Sequence, residues 1–130
     1  MAIVLNRVER INPQTKTKKW YATIKTVAQV KEKAVAKQIA DETTMNRKEA
    51  EMALAQLEKV LINNLLSSRS VQLGDWGVFH LTCNSEGKET RGDINARAVK
   101  GLNIRFKPGK ALREAIKSAS FVFTDNLSGK

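Results

Sequence analysis

Cysteine, histidine, proline and aromatic residues are all scarce in this 130-residue chain, and each shortage removes a class of function. The one cysteine, Cys83, cannot form a disulfide within the chain, which fits a reducing compartment. Cys83 also has no second Cys or His at metal-ligand spacing, so no metal site is expected. The one histidine, His80, sits between Phe79 and Leu81 in an apolar segment and reads as a structural or surface residue. The thirteen acids are scattered and mostly interleaved with bases. No phosphate-binding loop or dinucleotide fingerprint occurs, and Gly74-x-x-Gly77 reads as a turn. An enzyme is therefore not expected, nor a cofactor or a small-molecule substrate. Aromatics are 5% of a chain that is 42% apolar, which implies a small core completed by a partner chain. No stretch approaches the roughly eighteen apolar residues of a membrane helix. The first seven residues lack the charged and apolar regions of a secretory signal. A soluble, cytoplasmic protein is expected.

What the chain has in excess is positive charge. Its net charge is +10, with 23 Lys/Arg against 13 Asp/Glu. Residues 1–27 carry six bases and one acid, residues 28–72 seven and six, and residues 73–130 ten and six. A nearly neutral middle between two basic flanks is the distribution of a polyanion-binding face more than of a uniformly solvated surface. Nucleic acid is the expected polyanion. An anionic membrane fits less well, because no basic amphipathic helix with bulky apolar anchors is visible.

Patterning gives the order of elements. Residues 2–11 are β-favouring, Asn12-Pro13-Gln14-Thr15 is a turn signal, and Trp20–Val27 is a second strand, giving a hairpin with a basic tip. From Ala28 to Glu42 the spacing of Val30, Ala34, Val35 and Ile39 becomes helical. Asn46 followed three residues later by Glu49 is a capping-box signal for a second helix. Ala50, Ala53, Leu54, Leu57, Leu61 and Leu65 form its apolar stripe. Val60, Ile62 and Leu66 make that stripe wide enough to suggest burial against a second subunit, or an ordinary core helix. Strands follow at Ser70–Leu73, Val78–Leu81 and Leu102–Phe106, with residues 83–101 as a long, polar, glycine-bearing excursion. Pro108-Gly109-Lys110 opens a short helix with Lys110, Arg113 and Lys117 on one face, and Phe121 and Phe123 hint at a last strand. The class is α+β.

Three segments give this order a family resemblance. The helix from Asn46 to Leu66 resembles the long dimer-core helix of the HU and integration-host-factor family of bacterial DNA-bending proteins. Val71-Gln72-Leu73-Gly74-Asp75-Trp76-Gly77-Val78-Phe79 is similar to that family's strand-turn-strand motif, with Asp75 where Gly is usual and Trp76 where Phe is usual. Phe106-Lys107-Pro108-Gly109-Lys110-Ala111-Leu112 is similar to the motif opening its last helix. The resemblance spans residues 34–117. It implies an HU-like (IHF-like) fold in an intertwined homodimer: a two-helix unit, a β-sheet with a protruding arm, and a short C-terminal helix. The chain then reads as a single HU-like domain, with an N-terminal hairpin extension (1–27), a body (28–117) and a tail (118–130). Such extensions resemble divergent HU-like domains of Bacteroidetes. The family's arm-tip proline is missing, because Pro13 and Pro108 are the only prolines.

On this resemblance Lys88, Arg91, Arg97 and Lys100 lie on the arm, Arg105 and Lys107 on the saddle beneath it, and Lys110 and Arg113 at the start of the last helix. Each alone is equally readable as a solvated cation; the cluster carries the reading. Ile94 or Val99 stands as an apolar wedge or as a locally packed residue. Lys16, Lys18 and Lys19 stand as a second contact or as a soluble turn. The expected function is low-specificity binding of duplex DNA by a nucleoid-associated architectural protein that bends or compacts it. The alternatives are an RNA-binding protein, disfavoured because Trp76, Phe79 and Phe106 read as buried, and a structural or adaptor module that has lost DNA binding.

Overall fold

The capping-box signal is realised at the start of the longest helix, and it anchors the element order. The computed structural model describes residues 2–127. In chain order they form β1 (Ile3–Ile11), β2 (Lys18–Ile24), α1 (Glu32–Glu42), α2 (Arg47–Leu66) and β3 (Val71–Leu73). After these come β4 (Gly77–Ser85), β5 (Val99–Pro108), α3 (Lys110–Lys117), β6 (Phe121–Phe123) and the single turn α4 (Thr124–Leu127). Short 3-10 turns occupy Gly74–Trp76, Arg91–Asp93 and Ala96–Ala98. Of the expected tail, residues 128–130 lie outside the described residues.

The chain divides into two compact units, Met1–Lys31 with Ala115–Lys130, and Glu32–Glu114. The first is a three-stranded sheet in the order β2-β1-β6. β1 and β2 form the expected hairpin, with Glu9 opposite Trp20 and Arg10 opposite Lys19. Its turn is held by the Asn12 side chain, which accepts from the Gln14 N–H at 2.9 Å, and by the Lys16 N–H donating to the Asn12 carbonyl at 2.7 Å. The last strand is present too, parallel to β1, with Leu5 beside Phe123. Arg7 packs over the Phe123 ring and pairs with Asp125.

In the second unit Asn46 caps α2: its side chain accepts from the Glu49 N–H at 2.8 Å, and the Glu49 carboxylate accepts from the Asn46 N–H at 2.9 Å. This satisfies two donors that the first helical turn leaves free. α1 begins at Glu32, four residues later than Ala28, and Lys25–Lys31 lies outside any helix or strand. The second sheet has the order β3-β4-β5, all antiparallel. Trp76, Phe79 and Phe106 stack together, with centroids 4.9–6.1 Å apart. Two glycines permit the approach of the turn to the strand. A Cβ on Gly77 would run into the Phe106 ring, and one on Gly109 into the backbone carbonyl of Asp75. The Gly109 N–H donates to the Trp76 carbonyl at 2.9 Å.

Two expectations need correcting. The excursion is shorter than residues 83–101, because β4 continues to Ser85 and β5 starts at Val99. Partner-strand pairing extends both strands beyond what local alternation shows. Trp76 and Phe106 are also not buried in the chain: they are 48% and 39% exposed, although each ring packs against the other two of the cluster. Among the described residues the buried apolar side chains are three alanines and Leu65.

Candidate nucleic-acid interface

Directly opposed residues of an antiparallel pair project to the same face, and successive residues alternate. The register of β4 with β5 therefore sorts the second sheet into two chemically distinct faces. Phe79 with Phe106, Leu81 with Ile104, and Cys83 with Leu102 make one of them. That apolar face continues into a trough lined also by Leu61, Ile62, Leu65 and Leu66 of α2. The trough opens to solvent, with Leu66 70% and Ile104 54% exposed.

The other face pairs Val78 with Lys107, His80 with Arg105, and Thr82 with Asn103. Arg105 and Lys107 thus stand on the same face of the sheet. His80, Thr82 and Asn103 share it, and sequence reasoning missed them as a set. The signal was present: residues 78, 80, 82 and 84 alternate with the apolar 79, 81 and 83. The pairing register skips Lys100 at a β-bulge opposite Asn84/Ser85. Bulges of this kind re-aim side chains at the rim of a sheet.

The remaining cations occupy the ends of this ribbon. Lys88 follows β4 and is ion-paired with Glu86 at 3.0 Å. Arg91 opens the first 3-10 turn of the connection. Arg97 lies in the second, where its backbone N–H donates to the Asn95 side chain at 2.9 Å. The base of that connection is closed by the Glu86 N–H donating to the Ala98 carbonyl at 2.8 Å, with Ala98 buried. Ile94, between the turns, is half exposed. Lys110 is the first residue of α3, and Arg113 follows one turn on, its Nε donating to the Gly109 carbonyl at 3.4 Å.

All eight expected cations therefore fall within one unit, and seven of them carry no ion pair among the described residues. Their charge is not evenly placed. The 86–98 connection mixes Lys88, Arg91 and Arg97 with Glu86, Glu89 and Asp93, so it is neutral. Residues 99–113 carry five cations and no acid. The excess of cations over acids thus lies on β5 and the start of α3, not on the connection. No group of three or more His, Cys, Asp or Glu is placed to hold a metal ion among the described residues. No helix among them is long and apolar enough to cross a membrane.

Comparison with known proteins agrees with this architecture. The profile of the HU-HIG family, described as an HU domain fused to wHTH, Ig, or glycine-rich motif, matches residues 1–122. A protein of Bacteroides vulgatus described as a putative bacterial DNA-binding protein is similar in structure, with a TM-score of 0.67 at 18% identity. The similarity covers 95% of this chain and 49% of that one, so the chain spans about half the length of that protein. HU of Anabaena, solved as a cocrystal with DNA, has a TM-score of 0.54 at 19% identity, over 68% of this chain and 98% of that one. Nearly all of the Anabaena HU chain is thus matched, while about a third of this chain lies beyond it. The N-terminal hairpin, which lies outside the resemblance at 34–117, falls inside the HU-HIG match. No curated protein sequence matches the chain.

Proposed function

The chain belongs to the HU-HIG family of HU-domain proteins, and from that premise we propose that it is a low-specificity, duplex-DNA-binding architectural protein. In this reading it works as a homodimer in the cytoplasmic nucleoid and bends or compacts DNA. It is a binding protein, not an enzyme. Residues 1–130 act as one functional domain. The observation that carries the reading is the acid-free run of cations from Lys100 through Arg105, Lys107 and Lys110 to Arg113, on one strand and the helix it feeds. Phosphate contacts from such a row release counterions and give affinity without reading base identity. Lys88, Arg91 and Arg97 add contacts at the end of the ribbon, where arginine gains from a narrow minor groove. HU proteins are themselves minor-groove architectural binders.

The homodimer is supported by what the single chain leaves open. Ile62, Leu66, Leu102, Ile104 and Phe106 are all more than a third exposed. Covering the exposed half of such side chains contributes about 1 kcal/mol each. Two copies sealing the trough would gain on the order of 10 kcal/mol before the freedom lost on association is subtracted.

Competition among duplex DNA, duplex RNA and single-stranded DNA tests the reading, with the wild type beside an Arg91→Ala/Arg97→Ala/Lys100→Ala variant. Duplex DNA is expected to compete best, and the variant to bind at least tenfold more weakly. Preference for RNA would reassign the ligand. Unchanged DNA affinity in the variant would remove these three cations from the interface, and absence of DNA binding by the wild type would favour an adaptor role.

A further inference from the structure

The two units carry very different charge. Glu32–Glu114 holds fourteen Lys/Arg against eleven acids, whereas Met1–Lys31 with Ala115–Lys130 holds nine against two. The unit that lacks the β4–β5 cation row thus has most of the net charge. Of its two acids, Asp125 is engaged by Arg7, and Glu9 stands opposite Trp20 on one face of the sheet. The other face has no acid. It bears Arg10 opposite Lys19, Val8 opposite Tyr21, and Asn6 opposite Thr23. Lys25, whose N–H donates to the Val4 carbonyl at 2.8 Å, continues the row.

Two features of this hairpin work against the stability of the isolated sheet. Like charges directly opposed across a strand pair are destabilising, and Arg10 and Lys19 are so opposed with no carboxylate beside either among the described residues. At the hairpin tip Lys16 has φ of 58°, a left-handed conformation that favours Gly or Asn. Lys16 lies in the turn beyond the Ile11–Lys18 pair, so the tip adds a cation in a strained backbone position to a hairpin whose Arg10–Lys19 pair is not neutralised.

We propose that Arg10, Lys19 and Lys25, with Lys16 at the tip, form a second surface that binds the phosphodiester backbone of duplex DNA, independently of the β4–β5 cations. Extended backbone places Lys19, Tyr21, Thr23 and Lys25 on one face, with Lys19 and Lys25 about 20 Å apart, a span of several phosphates along one DNA strand. Tyr21 and Thr23 supply hydroxyl donors between the cations.

The test uses the whole 130-residue chain and a 30-bp duplex of random sequence. One variant changes Arg10, Lys16, Lys19 and Lys25 to Gln; a second changes Lys100, Arg105 and Lys107 to Ala; a third combines them. The Gln variant is expected to lower the slope of log affinity against log salt by about 3 to 4 for each copy of the hairpin that engages the duplex, with about 0.9 lost per phosphate contact. The second variant is expected to keep residual salt-sensitive binding that the combined variant loses. Relieving the Arg10–Lys19 opposition is expected to raise the melting temperature while weakening DNA binding, an opposition of signs that misfolding does not produce. A charge-keeping control, Lys16→Arg/Lys19→Arg/Lys25→Arg, is expected to bind as the wild type does. Wild-type affinity and slope in the Gln variant would overturn the proposal. So would a loss confined to phosphatidylserine vesicles, with DNA binding unchanged. Loss of binding in the Gln variant alone, with the second variant unaffected, would sustain it while removing the assignment of the β5 row.

Discussion

Replacing Gly109 by Ala adds one methyl group where the chain has no room for it. The new Cβ would overlap the backbone carbonyl of Asp75 and lie 3.2 Å from the Gly77 nitrogen. Neither neighbour is the free end of a side chain. Both belong to the turn whose Trp76 carbonyl accepts the Gly109 N–H at 2.9 Å. Relief requires turn and strand to separate, which weakens that hydrogen bond at about 1 kcal/mol and strains the Trp76–Phe79–Phe106 stack by about 1–3 kcal/mol. A total of about 2–4 kcal/mol corresponds to a melting-temperature decrease of roughly 10 °C for a domain of this size. Gly101→Ala is the matched control, because a Cβ there meets nothing within 4 Å. Gly101 borders the β-bulge but has no positive φ, so Ala there is expected to stabilise by about 0.5–1 kcal/mol through lower unfolded-state entropy. Thermal unfolding by circular dichroism at one fixed protein concentration measures both. Gly109→Ala within 0.5 kcal/mol of the wild type would refute the close-packed turn as the element that sets the start of α3.

Ser68 ends α2 at φ 63°, with its N–H donating to the Leu65 carbonyl at 3.2 Å and the Arg69 N–H reaching the Asn64 carbonyl at 3.0 Å. This is a Schellman arrangement with Ser where Gly is unstrained, so Ser68→Gly is expected to raise stability by about 0.5–1 kcal/mol in denaturant titration. Leu66→Lys introduces a charge at a 70% exposed position of the open trough. It is nearly neutral if the chain works alone; in the homodimer it is expected to weaken association at least tenfold by sedimentation velocity.

Local signals were legible in the sequence, and long-range ones were not. The Asn46/Glu49 box placed the start of α2 to the residue because every atom in it lies within four positions of chain. The start of α1 was set too early because Val30 continues the helical spacing while nothing from Ala28 to Lys31 offers an N-cap side chain. Cys83, Asn84 and Ser85 read as the start of a polar excursion, yet they are strand residues held by Leu102, Gly101 and Val99 on β5. The parallel pairing of β6 with β1 joins segments more than a hundred residues apart and has no local signature. At the candidate site, the eight cations were legible as residue types. Their division into an acid-free row on β5 and α3 and a neutral connection at 86–98 required the strand ends and the register. Burial of the aromatic cluster was overestimated for a related reason: an apolar stripe shows which face seeks cover, not which chain supplies it.

The most direct measurement is the affinity of the purified protein for a random-sequence DNA duplex, titrated from about 50 to 200 mM salt. Six or more phosphate contacts per dimer imply a log–log slope of about −5 or steeper, and an affinity loss of about a thousandfold over that range. A slope near zero, or equal affinity at both ends of the titration, would contradict the assignment of these cations to a DNA backbone.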